Sequence, residues 1–83
     1  MWAMKAIDLV KQDKFAEFLG IEIEEYAPGY AKVSLKTDER FLNGIGRIQG
    51  GATYTLADYA FAIAVNAMAD EMDGVACAVS MST

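Results

Sequence analysis

The segment ATYTLADYAFAIAVNAMADEM, residues 52–72, limits what this chain can fold into more than any other stretch. It is too long and too rich in alanine for a strand, so it predicts a helix of about five turns or more. Apolar residues would lie on nearly all sides of that helix, and such a helix needs cover on most sides. Asp58 is the only charged residue from position 50 to position 69. The sequence therefore predicts a central helix under other elements, with one carboxylate in its most hydrophobic part.

The elements before this helix offer some of that cover. Residues 3–12 carry apolar side chains at the spacing of a short amphipathic helix, and DKFAEFLG adds another turn that ends at Gly20. Apolar and polar residues then alternate on both sides of Pro28–Gly29. That pattern predicts an antiparallel hairpin with one solvated face.

The rest of the chain predicts a loop and one more strand. Residues 37–51 are rich in glycine and predict a loop, and Gly74 marks the end of the long helix. Residues 75–82 alternate again, so a third strand is expected there. Three strands spaced about 4.8 Å apart cannot wrap a helix about 10 Å across. We therefore expect one small domain over residues 1–83 that lacks its later strands, or whose core another chain completes.

Composition and charge exclude several classes of protein. The 83 residues are 54% hydrophobic, which indicates a globular chain, and the seven Lys and Arg are too scattered to favour nucleic acid as a partner. A single cysteine excludes an internal disulfide, and together with an N-terminus unlike a signal peptide it predicts a cytoplasmic location. The chain has no histidine, which excludes Ser-His-Asp and Cys-His catalysis. A charge such as Asp58 near mid-bilayer costs at least ~2.5–3.5 kcal/mol, which argues against membrane insertion.

The stretch LNGIGRIQGGATYTLADYAFAIAVNA, residues 42–67, resembles the hotdog-fold acyl-CoA thioesterases of the phenylacetate-degradation type. Their pattern is Asn-Gly, a short spacer, His-Gly-Gly, then a helix with Leu-Ala-Asp and an Asn about two turns later. The matching residues here are Asn43–Gly44, Gln49–Gly51, Leu56–Asp58 and Asn66, at the family's spacings. Gln49 departs from the family's His. Glutamine can donate and accept hydrogen bonds but cannot titrate.

The resemblance implies an α+β hotdog fold, in which an antiparallel β-sheet wraps a long central helix, and of which this chain is the N-terminal portion. It implies hydrolysis of an acyl-CoA thioester without a metal or a redox cofactor, with coenzyme A as part of the substrate. The family builds its sites across two antiparallel copies, so the implied assembly is a homodimer or a dimer of dimers. Gln49 and the missing strands favour an alternative, a non-catalytic module that binds acyl-CoA or another chain. A third possibility is a truncation that folds only by association.

Asp58, Gly50 and Gly51 carry the chemistry that the resemblance implies. Asp58 could be a solvated carboxylate, but its apolar neighbours also make it a candidate general base or nucleophile. The resemblance implies that Asp58 activates water or itself attacks the thioester carbonyl. Gly50 and Gly51 suit a loop-to-helix turn that needs small residues, and the N–H groups at a helix start carry the positive end of the helix dipole. The resemblance implies that the Gly50 N–H holds the developing oxyanion and that Gly51 contacts the substrate.

Three amide side chains complete the candidate site. Asn43 either makes an Asn-Gly turn or, as the resemblance implies, positions water or the carbonyl at the scissile bond. Gln49 is equally open to a turn role and to a catalytic hydrogen bond. Asn66 lies eight residues beyond Asp58. It is either a buried amide that ties the helix to a strand or a substrate-binding group.

Overall fold

In a computed structural model, which describes residues 5–71, two short helices lead into a hairpin and then into one long helix. The elements are α1 (Ala6–Val10), α2 (Lys14–Leu19), β1 (Glu22–Ala27), β2 (Tyr30–Ser34), a 3-10 turn (Glu39–Phe41) and α3 (Gly50–Glu71). This order confirms the α+β class and the predicted hairpin. Where the sequence predicted one N-terminal helix with an added turn, the structure has two separate short helices, because residues 11–13 form a turn between them. The helix end predicted at Gly74 and the strand predicted at 75–82 lie outside the described residues.

Helix α2 is bounded by residues that cap both of its ends. The Asp13 side chain accepts hydrogen bonds from the N–H groups of Phe15 and Ala16, each at 2.9 Å. Gly20 adopts a left-handed conformation with φ of 84°, and the Ile21 N–H donates to the Ala16 carbonyl at 3.0 Å. An aspartate before the first turn favours the start of a helix and a left-handed glycine favours its end, so the end predicted at Gly20 is confirmed.

The hairpin packs on α3 through its turn. Gly29 has φ of 79°, its N–H donates to the Ala64 carbonyl of α3 at 3.0 Å, and a Cβ there would lie 2.9 Å from Met68 Cε. Pairing of the strands shifts between Ile23 and Glu25, so one extra residue of β1 forms a bulge. The simple alternation in the sequence did not predict this bulge.

The hydrophobic core lies on one side of α3. Its buried residues are Ile7, Ala16, Tyr59, Ile63 and Ala67. Partly buried side chains of α1 and of the hairpin pack against them: Val10, Ile21, Ile23, Ala31 and Val33. The Asp70 carboxylate accepts hydrogen bonds from the N–H groups of Ala6 at 2.7 Å and Ile7 at 3.1 Å. These bonds fix the start of α1 against the last turn of α3.

The segment before α3 is more ordered than the predicted loop. Leu42 and Ile48 form an isolated antiparallel bridge, and Phe41 in the 3-10 turn is buried. Helix α3 begins at Gly50, two residues earlier than predicted, because both glycines of the pair already belong to the helix. Within residues 5–71, no helix has both the length and the apolar character needed to cross a membrane.

Candidate active site

Asn43 organises the loop that leads into α3. Its side-chain Oδ1 accepts hydrogen bonds from the N–H groups of Ile45 and Arg47, both at 3.0 Å. Its own N–H donates to the Arg47 carbonyl at 2.6 Å, and its carbonyl accepts from Gly46, whose φ is 79°. This is the Asn-Gly turn that the sequence offered as one reading of Asn43. A catalytic role for Asn43 stays a prediction, and its side-chain oxygen already has two backbone partners in this chain.

Gln49 sits at the junction between loop and helix. Its N–H donates to the Phe41 carbonyl at 2.6 Å, and its carbonyl accepts from the N–H groups of Ala52 at 3.0 Å and Thr53 at 3.4 Å. The backbone of Gln49 thus closes the first turn of α3, while the residue as a whole is exposed. Either predicted role of the Gln49 side chain is compatible with this position.

Gly50 and Gly51 are the first two residues of α3, and both are exposed. N–H groups in a first helical turn have no carbonyl one turn earlier to bond, and they lie at the positive end of the helix dipole. A Cβ added at Gly50 would meet no atom within 4 Å. The backbone at the helix start is therefore open to close approach, as an oxyanion donor requires.

Asp58 lies on the open side of α3, about two turns after Gly50. At about 100° per residue, Tyr54, Asp58 and Phe61 fall within about 60° of one another, and Ile63 faces about 180° away from Tyr54. Ile63 is fully buried, whereas Asp58 is exposed. In this single chain the carboxylate is therefore outside the core, on a face that also carries Tyr54 and half-buried Phe61.

Asn66 is 4% exposed, in contrast to the other candidate residues. Its Nδ2 donates to the Ala62 carbonyl of the same helix at 2.9 Å. The predicted burial of this amide is thus observed, and this bond lies within α3. Along a helix, Asn66 lies about 12 Å beyond Asp58 and about 80° around the axis. Its predicted contact with substrate stays a prediction.

A cleft of about 290 Å³ opens beside the helix start. Its lining residues are Phe15, Leu19, Arg40, Phe41, Gln49, Gly51, Ala52 and Thr55. Two predicted site residues, Gln49 and Gly51, therefore share one cleft, whereas Asp58 and Asn66 are not among its lining residues. Phe15, Leu19 and Phe41 do not stand out in the sequence as site residues, because only the folded chain brings α2 and the 3-10 turn beside the start of α3.

Arg40 lines the cleft, and its guanidinium carbon lies 5.3 Å from the centroid of the Phe41 ring. Arg40 Nε donates to Asp38 Oδ1 at 3.1 Å, and this hydrogen bond holds the pKa of the Asp38 carboxyl below its usual range. The side chains of both residues are largely exposed. Among residues 5–71, no group of three or more His, Cys, Asp or Glu is placed to hold a metal ion.

Comparison with known proteins gives relatives with hydrolase names. The chain is 32% identical over 68 residues to a protein of Saccharolobus solfataricus named putative esterase, covering 82% of this chain and 45% of the relative. It is 41% identical over 58 residues to an Archaeoglobus fulgidus protein of the same name, covering 70% and 38%. It is 34% identical over 71 residues to the acyl-coenzyme A thioesterase PaaI of Escherichia coli, covering 86% and 51%.

No protein-family profile and no solved structure matches the chain. The chain spans about half or less of the length of these three relatives. The resemblance noted from Asn43, the glycine pair and Asp58 is confirmed by them: the chain is similar in sequence to two putative esterases and to a PaaI acyl-CoA thioesterase.

Proposed function

We propose that this chain is the N-terminal portion of a hotdog-type domain that hydrolyses an acyl-CoA thioester to a free acid and coenzyme A. The observation that carries the proposal is one open side of α3 that presents both an accessible helix start at Gly50 and the exposed carboxylate of Asp58. The names of the relatives, esterase and acyl-coenzyme A thioesterase, support hydrolysis of an ester or thioester. The working location is the cytoplasm.

The helix start would stabilise the transition state. When the thioester carbonyl is attacked, negative charge develops on its oxygen. The Gly50 N–H donates to that oxygen at the positive end of the helix dipole, and Gly51 lets the substrate approach the backbone. Removing a donor of this kind costs roughly 3–4 kcal/mol of transition-state stabilisation.

Asp58 would supply the reactive carboxylate by one of two routes. In the first, Asp58 takes a proton from water while the water oxygen bonds to the carbonyl carbon. The C–S bond then breaks, and the thiolate of coenzyme A leaves and takes up a proton. In the second route a carboxylate oxygen attacks, the C–S bond breaks, and water then hydrolyses the resulting anhydride. Neither route uses a metal or a redox cofactor.

The amide groups would hold the reactants in place. Gln49 lies one residue before the proposed oxyanion donor and can hydrogen-bond to the thioester or the attacking water, but it cannot carry a proton between them. Asn43 acts through the loop that it closes, since this loop fixes the position of the helix start. Asn66 contributes as a binding group from its buried position in α3, eight residues beyond Asp58.

The site would be shared between two copies of the chain. Gly50 and Asp58 are eight residues apart, which along a helix is about 12 Å of rise and about 80° of rotation. Both groups must come within about 3–3.5 Å of one carbonyl. One helix cannot provide both, but two antiparallel helices can, if the start of one lies beside the middle of the other. The working unit is therefore a homodimer or a dimer of dimers.

A second candidate function is a module that binds acyl-CoA without cleaving it, which Gln49 in place of the family's His favours. One assay separates the two functions. Purified protein is incubated with an acyl-CoA, and release of free thiol is followed while binding is measured by calorimetry. Hydrolysis above the buffer rate supports the first function. Binding without thiol release would support the second function. The absence of both binding and thiol release would contradict both functions.

A further inference from the structure

The cleft beside the helix start is built from three separate parts of the chain. Phe15 and Leu19 come from α2, Phe41 from the 3-10 turn, and Ala52 from the first turn of α3. These four side chains are hydrocarbon only. Arg40, Gln49 and Thr55 also line the cleft, so it is a recess with one apolar wall that reaches the proposed site at Gly51.

Helix α2 turns Phe15 and Leu19 toward this cleft and Ala16 toward the core. Its buried residue is Ala16, whereas Phe15 is 56% exposed. Phe15 and Leu19 are four residues apart, so they lie on the same side of the helix, one turn from each other. Phe18 on the same helix is 73% exposed but does not line the cleft. Phe15 and Phe18 are thus two largely exposed phenylalanines of the same helix, and only Phe15 lines the cleft.

The cleft has the size of a small apolar ligand. A cavity of about 150 Å³ lined by hydrocarbon takes up benzene. The cleft, at about 290 Å³, is roughly twice as large. It has room for a hydrocarbon chain or ring of six or more carbons, and aromatic walls bind such groups well.

We infer that the cleft between Phe15, Leu19 and Phe41 receives the acyl group of the thioester and that Phe15 sets acyl-length preference. This inference rests on the proposed function, because it takes the carbonyl to lie at the Gly50 N–H. Gly51 and Gln49 flank that N–H and line the cleft, so an acyl chain leaving the carbonyl enters it directly. The substrate class is an acyl-CoA with an apolar acyl group of medium length.

The test compares Phe15→Ala with Phe18→Ala and with Phe15→Trp in the purified protein. Acetyl-, butyryl-, hexanoyl- and octanoyl-CoA are assayed for kcat/KM by thiol release and for Kd by calorimetry. In the wild type, kcat/KM should rise by up to about fourfold per added methylene until the cleft is full. Phe15→Ala should lower the hexanoyl value by about five- to tenfold and leave the acetyl value unchanged. Phe18→Ala should leave the whole series unchanged, and Phe15→Trp should shorten the preferred chain.

The outcomes separate this inference from the proposed function. If no thioester is hydrolysed, but hexanoyl-CoA binds more tightly than acetyl-CoA and Phe15→Ala removes that difference, hydrolysis fails and the acyl cleft stands. If hydrolysis is normal and Phe15→Ala changes all acyl lengths equally, or none, the inference is overturned. Equal effects of Phe15→Ala and Phe18→Ala would also overturn it, as would a lack of both binding and hydrolysis. Circular dichroism spectra that match the wild type ensure that each variant is folded.

Discussion

The two sides of α3 have similar composition and different surroundings. The packed side carries Tyr59, Ile63 and Ala67, which α1 and the hairpin cover. The open side carries Tyr54 and Asp58, both exposed, and Met68 is exposed at its edge beside the hairpin turn. Both sides are mainly apolar, so hydropathy alone does not distinguish them. The difference comes from which side the preceding 45 or so residues reach, and it divides α3 into a face that stabilises the fold and a face that carries the proposed site.

This division explains how one carboxylate is tolerated in the most hydrophobic part of the chain. A carboxylate on the packed side would need a buried partner, since an unpaired buried charge is strongly destabilising. On the open side Asp58 keeps access to water and, in the proposed dimer, to a crevice between two helices. Substitutions on the two sides of α3 and at the proposed site should therefore differ in what they change.

Replacing Asp58 should abolish function and spare the fold. Asp58→Asn keeps the size of the side chain but removes its charge and its capacity to take a proton. We expect acyl-CoA turnover to fall by about 10²–10⁴-fold, the usual contribution of a general base, while urea unfolding is unchanged because the residue is exposed. Turnover near that of the wild type would remove Asp58 from the chemistry.

Mixing two inactive chains should restore part of the activity if the site is shared. Gly50→Pro removes the proposed N–H donor, and proline is well tolerated at the first position of a helix. An Asp58→Asn chain paired with a Gly50→Pro chain has one intact site and one doubly defective site. A purified heterodimer should therefore show about half the wild-type turnover. A verified heterodimer without activity, or a fully active monomer, would contradict the shared site.

Shortening a side chain to alanine should destabilise the fold more on the packed side of α3 than on the open side. Ile63 is 0% exposed, and Ile63→Ala should lower the free energy of unfolding by about 2–5 kcal/mol through lost burial and a residual cavity. Met68 is 45% exposed, and the matched change Met68→Ala should cost less than about 1 kcal/mol. Urea titrations followed by circular dichroism measure both values. Equal losses would mean that the two sides of α3 are packed alike.

Gln49 should show a smaller effect, on activity alone. If its side chain contributes a hydrogen bond, Gln49→Ala should lower kcat/KM by about two- to tenfold. Gln49→His restores the family's residue and should preserve or raise activity. If kcat/KM is the same for the wild type, Gln49→Ala and Gln49→His, the Gln49 side chain does not contribute to activity and only its backbone has a role, at the start of α3.

Much of this arrangement could be predicted from local signals. Asp13 and Gly20 mark the ends of α2, Pro28–Gly29 marks the hairpin turn, and the Asn-Gly pair at position 43 marks the loop turn. Each of these features depends only on the backbone conformation or capping of neighbouring residues, so it can be predicted without knowledge of the rest of the fold. The lone charge of Asp58 also stands out in the sequence without any structure.

Long-range contacts decide the features that the sequence did not reveal. The bulge in β1, the burial of Phe41 and the cleft beside Phe15 all depend on which distant segments meet. The same holds for the side of α3 on which Asp58 lies. An all-round apolar helix has no strong period, so its packed side is chosen by the elements that cover it rather than by its own pattern.

The two tyrosines of α3 provide the most sensitive probe of the division, since Tyr59 is 6% exposed and Tyr54 is 42% exposed. Burial raises the pKa of the Tyr59 phenol, and the nearby Asp13 carboxylate raises it further, against a smaller opposing effect of Lys11. The unfolded chain should therefore lose this proton first, near pH 10. The phenol's contribution to stability is then fully present below about pH 10 and is lost as pH rises through the folded-state pKa.

Urea unfolding between pH 8 and pH 11 should accordingly show a steeper alkaline loss of stability in the wild type than in Tyr59→Phe. Subtracting the Tyr59→Phe curve from the wild-type curve removes the contribution of Tyr30, whose pKa is raised by its hydrogen bond to Glu25. Identical slopes for Tyr59→Phe and the wild type would show that this phenol is not desolvated, and the packed side of α3 would lose its clearest electrostatic signature.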